Sequence, residues 1–180
     1  VMCGADVSSL EDSTKRHFLW EYDPEYVKSM DLPGFDPHMT LLRYAGKITE
    51  DDYEFYVDCK THGIGNKDRQ RFDKLDDMRS PAKTVNYAST YKVGSKTLAR
   101  QSGMRVKEAE VFLEAFWGLN ESILRFEKDL FVRKLKDGTS WVKNPVSGFY
   151  YSLRSDRDKF STINQGTGVF IFDSWVANMR

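Results

Sequence analysis

Residues 79–91 read Arg79-Ser80-Pro81-Ala82-Lys83-Thr84-Val85-Asn86-Tyr87-Ala88-Ser89-Thr90-Tyr91. Arg79, Lys83, Tyr87 and Tyr91 stand four apart. A four-residue step keeps successive side chains near one face of an α-helix, so two cations are followed by two aromatic rings along a slowly winding stripe. Phosphate and base could lie along it. Ser80-Pro81 predicts a helix start at this point, with Ser80 as the cap and Pro81 at the first helical position. Arg79 and Lys83 are then expected beside the positive end of the helix dipole, where an anion is favoured.

Working outward, Gly94 breaks the pattern, a helix is expected through Thr97 to Ser102 ending at Gly103, and Lys107–Phe116 carries Ala109, Phe112, Leu113 and Phe116 at helical spacing. Residues 120–135 read as one more helix on Ile123, Leu124, Phe126, Leu130 and Phe131. Thr139–Val142 and Phe149–Leu153, separated by Asn144-Pro145-Val146-Ser147-Gly148, read as a β-hairpin. A final helix starts near Ser155-Asp156. On the other side, Val1–Ala5 reads as a short strand, Ser8–Trp20 as a helix, and Asp23-Pro24 and Asp36-Pro37 as two further helix starts, the first helix stopped by Leu32-Pro33-Gly34. Residues 47–78 are strongly charged and expected to be helical in part. The fold class expected is α+β, mostly helical, with an incomplete antiparallel sheet and a hairpin.

The chain has 180 residues, 40% apolar and 14% aromatic, which argues for a folded protein. No stretch approaches the length of a membrane span, and no signal peptide is legible. Cys3 and Cys59 are far apart and lack companion histidines, against a disulfide framework or a zinc site. Net charge is zero, but it is unevenly distributed. Residues 1–58 hold 13 acidic and 5 basic side chains, a net of −8, while residues 79–107 hold seven basic ones and no acid. A basic run with tyrosines interleaved suits a polyanion with stackable bases, and an acidic opening suits divalent cations. The competing reading of such a run is a solvated helical face.

The Arg-x3-Lys-x3-Tyr-x3-Tyr spacing resembles the nucleotide-binding helix in the fingers of family A DNA polymerases, the group of bacterial DNA polymerase I and many phage replicases. Asp6-Val7-Ser8-Ser9-Leu10-Glu11 resembles the palm motif in which a strand ends in a metal-binding Asp and a Glu follows five residues on. His38 in Asp36-Pro37-His38 resembles the histidine of the Asp-x-His element. Leu98-Ala99-Arg100-Gln101 and Lys107-Glu108-Ala109 look like the run from fingers back to palm. Arg157-x7-Gln165 with Gly166-Thr167 resembles the helix that touches the primer-template minor groove. These elements appear in the family's order. The resemblance divides the chain into a palm segment (1–35), fingers (36–104, with an insertion near 47–78) and a return to the palm (105–180), and a phage type is expected.

The resemblance implies deoxynucleotidyl transfer from a dNTP to a primer 3′-hydroxyl by two-metal catalysis. Asp6 would bind both Mg²⁺ ions, with the Val7 carbonyl as a further ligand. Glu11 would close the sugar pocket against ribonucleotides. Arg79 and Lys83 would hold the triphosphate, Lys83 also protonating the leaving pyrophosphate, and His38 would contact a phosphate oxygen. Tyr87 would sit under the incoming sugar and Tyr91 near the templating base. Arg157 and Gln165 would read minor-groove acceptors common to all base pairs. The partners implied are primer-template DNA, dNTP and the remaining polymerase segments, namely the thumb, the rest of the palm and an exonuclease domain, in the cytoplasm of a bacterial or phage-infected cell and without a membrane.

Several positions depart from the family pattern. No His-Asp-Glu turn, the home of the second catalytic carboxylate, occurs in these 180 residues, so they are expected to be an incomplete piece of a longer or split enzyme, inactive in isolation. Lys92 follows Tyr91 where the family usually has Gly, Ser13 stands where an Arg is common, and Ser161 replaces an Asn. The alternatives are an inactive polymerase-derived module that binds primer-template or nucleotide, and a helical interaction protein with chance similarity.

Overall fold

The computed structural model describes residues 7, 9–65 and 67–179. The expected strand Val1–Ala5 and Asp6 lie outside the described residues. The chain divides into two compact units, one formed by residues 1–24 with 122–180 and the other by residues 25–121.

The second unit is helical. After α2 (Pro24–Met30), Asp36 caps α3 (Pro37–Tyr44): its carboxylate accepts the backbone N–H groups of His38 and Met39, and Pro37 takes the first helical position. Thr49 and Asp52 form a reciprocal capping box that starts α4 (Glu50–His62). The next helix, α5, runs unbroken from Arg69 to Thr90. Ser80-Pro81 is therefore not a helix start, and the expectation that Arg79 and Lys83 stand at a helix N-terminus is corrected: both lie mid-helix, away from the positive end of the dipole. Pro81 has no N–H to donate to the Asp77 carbonyl, at a typical cost of about 3 kcal/mol. Asp77 and Pro81 are exposed. Phe72 and Leu75 on one side of the proline, and Ala82 and Val85 on the other, are buried, and each buried large apolar side chain returns about 1.5–3 kcal/mol. Burial on both sides outweighs the lost bond. Residues 47–78 thus make α4 and the first part of α5, joined by a Tyr56–Phe72 ring stack at 4.9 Å.

α5 ends in a left-handed turn. Val93 N–H reaches the Ala88 carbonyl and Lys92 N–H the Ser89 carbonyl, with Lys92 at φ 53°. This is the Schellman geometry, and it places Lys92 where glycine is favoured. α6 (Ser95–Ser102) then packs on α7 (Val106–Leu119) across a turn at Gly103 (φ 71°), and α3 packs on α4, α5 and α7. Met39, Leu41, Val85, Leu98, Ala109 and Phe116 form the centre of this unit.

In the first unit α1 (Leu10–Leu19) packs on α9 (Lys159–Asn178), tied by Thr14 Oγ1 donating to Asn164 Oδ1 at 2.7 Å and by Asn164 Nδ2 donating to the Glu11 carbonyl. α8 (Glu121–Asp129) supplies Phe126, stacked on Phe18, and Glu127, whose carboxylate accepts the Phe160 N–H in the first turn of α9. The expected helix over 120–135 stops at Asp129. Val132–Lys134 is instead β1, paired antiparallel with β2 (Ser140–Lys143), which pairs antiparallel with β3 (Tyr150–Leu153). Its apolar spacing is compatible with a helix, but the open edge of β2 offers backbone partners, and pairing Val132 with Val142 satisfies them. The result is a mostly helical α+β fold with a small open antiparallel sheet. The hairpin turn is held by Asn144, whose Oδ1 accepts the Val146 and Ser147 N–H groups while its Nδ2 donates to Thr167 Oγ1 at 2.8 Å. α9 follows a short 3₁₀ helix, Asp156–Asp158.

Candidate nucleotide-binding site

The stripe on α5 can be placed from helical geometry. Each four-residue step advances about 40° around the axis. Ala82, Val85 and Ser89 mark the buried side, so Arg79 sits at its edge and Lys83, Tyr87 and Tyr91 turn progressively outward. Exposure follows this order: the Arg79 side chain is 26% exposed, Lys83 is on the surface, and Tyr87 and Tyr91 are 43% and 44% exposed.

Because α3 packs against α5, the Asp36-Pro37-His38 element meets this stripe. Asp36, only 5% exposed, uses one carboxylate oxygen to cap α3 and the other to accept Arg79 Nε at 2.6 Å. The Arg79 side chain makes no other hydrogen bond among the described residues, so its two terminal nitrogens are uncommitted. Burial acts to lower the Arg79 pKa, but the bond to Asp36 and that carboxylate's charge outweigh it, so the guanidinium is held charged. His38 is 6% exposed. Its Nδ1 lies 3.2 Å from Asn86 Nδ2, which also donates to the Pro37 carbonyl, and its ring centroid is 5.8 Å from that of Tyr87. Further along, the Tyr56 hydroxyl donates to Asp76 at 2.6 Å. Burial, and then that bond, push the Tyr56 pKa upward.

His38, Arg79 and Tyr87, from segments some forty residues apart, are thus brought together, with Lys83 one turn from Arg79. Lys83 has no ion-pair partner among the described residues. Asp36 and Asn86 are functional candidates that the sequence reading missed. Asp36 was legible as a helix cap, but its ion pair 43 residues away was not.

Glu11, Arg157 and Gln165 belong to the other unit. Glu11 is exposed in the first turn of α1, Arg157 is exposed on the 3₁₀ helix, and Gln165 is exposed on α9. Gly166, beside Gln165, admits the Tyr151 ring: a Cβ there would lie 2.7 Å from Tyr151 Cζ. Val7 is half-buried, and Asp6 lies outside the described residues. Among the described residues no three His, Cys, Asp or Glu side chains gather as a metal-ligand set. No helix among them is long and apolar enough to cross a membrane. Compared with known proteins, the chain matches no family model, no curated protein and no solved structure.

Proposed function

We propose that this chain supplies the nucleotide-gripping helices of a template-directed DNA polymerase resembling family A, acting as part of a longer or split enzyme. The observation that carries this reading is the convergence of His38, Arg79 and Tyr87, with Lys83 exposed and uncommitted beside them.

Asp36 neutralises Arg79 locally but engages it only through Nε, which aims the terminal nitrogens outward as a fork for a triphosphate. Lys83 adds the net positive charge and stands ready to protonate departing pyrophosphate. Tyr87, against the His38 ring, forms the platform for the incoming sugar. Phosphate binding here rests on side chains, since the helix dipole is not aimed at the site. When bound at Asp6, Mg²⁺ would neutralise charge on the transferring phosphate. A second carboxylate would come from another segment.

Titration of the purified chain with a dNTP, with and without Mg²⁺, tests the reading. Saturable binding that Lys83→Ala and Arg79→Ala each weaken at least about tenfold is expected, since a charge-assisted contact is worth roughly 1.5–3 kcal/mol. Binding indifferent to both substitutions refutes it. Binding that survives Asp6→Ala unchanged in Mg²⁺ favours an inactive binding module instead.

A further inference from the structure

Residues 47–78 carry none of the motifs of the family resemblance, yet they bring Tyr56 of α4 against α5 just before the grip. Tyr56 is completely buried, its ring stacked on Phe72 with 2° between the planes, and its hydroxyl donates to Asp76 Oδ1 at 2.6 Å. A ring packed in this way cannot follow its partner, so the hydroxyl is a fixed point beside α5. Asp76 is exposed, and the bond from Tyr56 is the only hydrogen bond or ion pair of its side chain among the described residues.

Asp76 also stands three residues before Arg79 on the same helix, a spacing at which an Asp and an Arg ordinarily pair. Burial works against the Arg79 charge, which is sustained by the bond and charge of Asp36 and then by the nearby Tyr56 and Asp76 oxygens. Yet no hydrogen bond or ion pair joins Asp76 to Arg79, whose guanidinium is bonded to Asp36 through Nε. A carboxylate meeting the two terminal nitrogens side-on would fill the fork that a triphosphate needs and cancel its charge. We infer that Tyr56 is a positioning residue of the nucleotide grip: by holding the Asp76 carboxylate toward α4, it keeps that carboxylate off the Arg79 fork. This role rests on the proposed nucleotide-gripping function. Asp36 then fixes the guanidinium through Nε, and Tyr56 restrains the competing acid.

Nuclear magnetic resonance of the Arg79 guanidinium and dNTP titration, both on the full chain, test the role separately. Without ligand, the parent should show Arg79 Nη protons in fast exchange with water. Tyr56→Phe keeps the ring stack and releases Asp76 into water, so the fold should hold. Pairing with Asp76 should then slow Nη exchange, and dNTP should bind at least about threefold more weakly. Adding Asp76→Asn should restore both readings, whereas Asp76→Asn in the parent should change dNTP affinity by less than about twofold. A merely structural role of the hydroxyl predicts no rescue by Asp76→Asn. Unchanged Nη exchange in Tyr56→Phe, absence of rescue, or the same gain from Asp76→Asn in both backgrounds overturns the role of Tyr56. Failure of the parent to bind dNTP overturns the nucleotide-gripping function, and with it any part for Tyr56 in the grip, whatever the Nη exchange shows.

Discussion

Replacing Asp36 tests whether the Arg79 guanidinium is held by design of the fold. Asp36→Ala removes the acceptor for two backbone N–H groups at the start of α3, at 2.9 and 3.1 Å, worth about 0.5–2 kcal/mol for a lost cap. It also removes the 2.6 Å bond to Arg79, a charge-assisted contact worth roughly 1.5–3 kcal/mol. The Arg79 side chain is a quarter exposed and can recover some hydration, which places the loss below the sum. A destabilisation of about 2–4 kcal/mol is expected, near the upper range for single substitutions. Asp36→Asn keeps a capping oxygen and should cost about half as much. Urea unfolding followed at amide resonances of α3 and α5 reads the effect on this unit, and a cycle with Arg79→Gln isolates the pair. A coupling energy of about 1–3 kcal/mol is expected. A value below about 0.5 kcal/mol would refute the argument that Asp36 fixes Arg79. If the pair aims Arg79 at a triphosphate, Asp36→Asn should also weaken dNTP binding, although Asp36 itself is buried beneath the site.

Four further outcomes are expected. Lys92→Gly relieves a left-handed residue at φ 53° and should stabilise the protein by about 0.5–1 kcal/mol, read as a rise in Tm; a fall would contradict the strain argument. Lys15 is buried, and desolvation, against the opposing pull of Asp12, lowers its pKa from 10.5 to about 8. The unfolded chain therefore holds more protons between those values, so unfolding free energy should climb with pH across that window by up to about 3 kcal/mol relative to Lys15→Met. Equal pH profiles for the two proteins would exclude this. Gly166→Ala would drive a methyl into the Tyr151 ring and should destabilise the first unit by about 1–3 kcal/mol in thermal unfolding, while Tyr151→Leu, by opening space, should reduce that penalty. If the proposed polymerase function holds, Tyr87→Phe should raise discrimination against dideoxynucleotides in primer extension; unchanged acceptance would sink the sugar-platform role.

The sequence by itself determined what local chemistry controls. Asp36-Pro37 starts α3 because an Asp carboxylate can cap and proline tolerates the first position, and Gly103 ends α6 because it accepts a positive φ. Asn144 to Gly148 makes the hairpin turn because an Asn side chain can satisfy the backbone two and three residues on. The Arg79 to Tyr91 stripe was legible because its period is helical. Tertiary structure decided the rest. Ser80-Pro81 carries every local mark of a helix start, yet burial of Phe72 and Leu75 before it and Val85 after it draws one helix through the proline. Residues 132–134 fit a helical period, yet the edge of β2 claims them. Asp36 and Arg79 meet only because α3 lies on α5. A cap or a turn is settled within a few residues, whereas an ion pair 43 residues apart, a strand partner or a tolerated proline depends on energies that exist only once distant surfaces have packed.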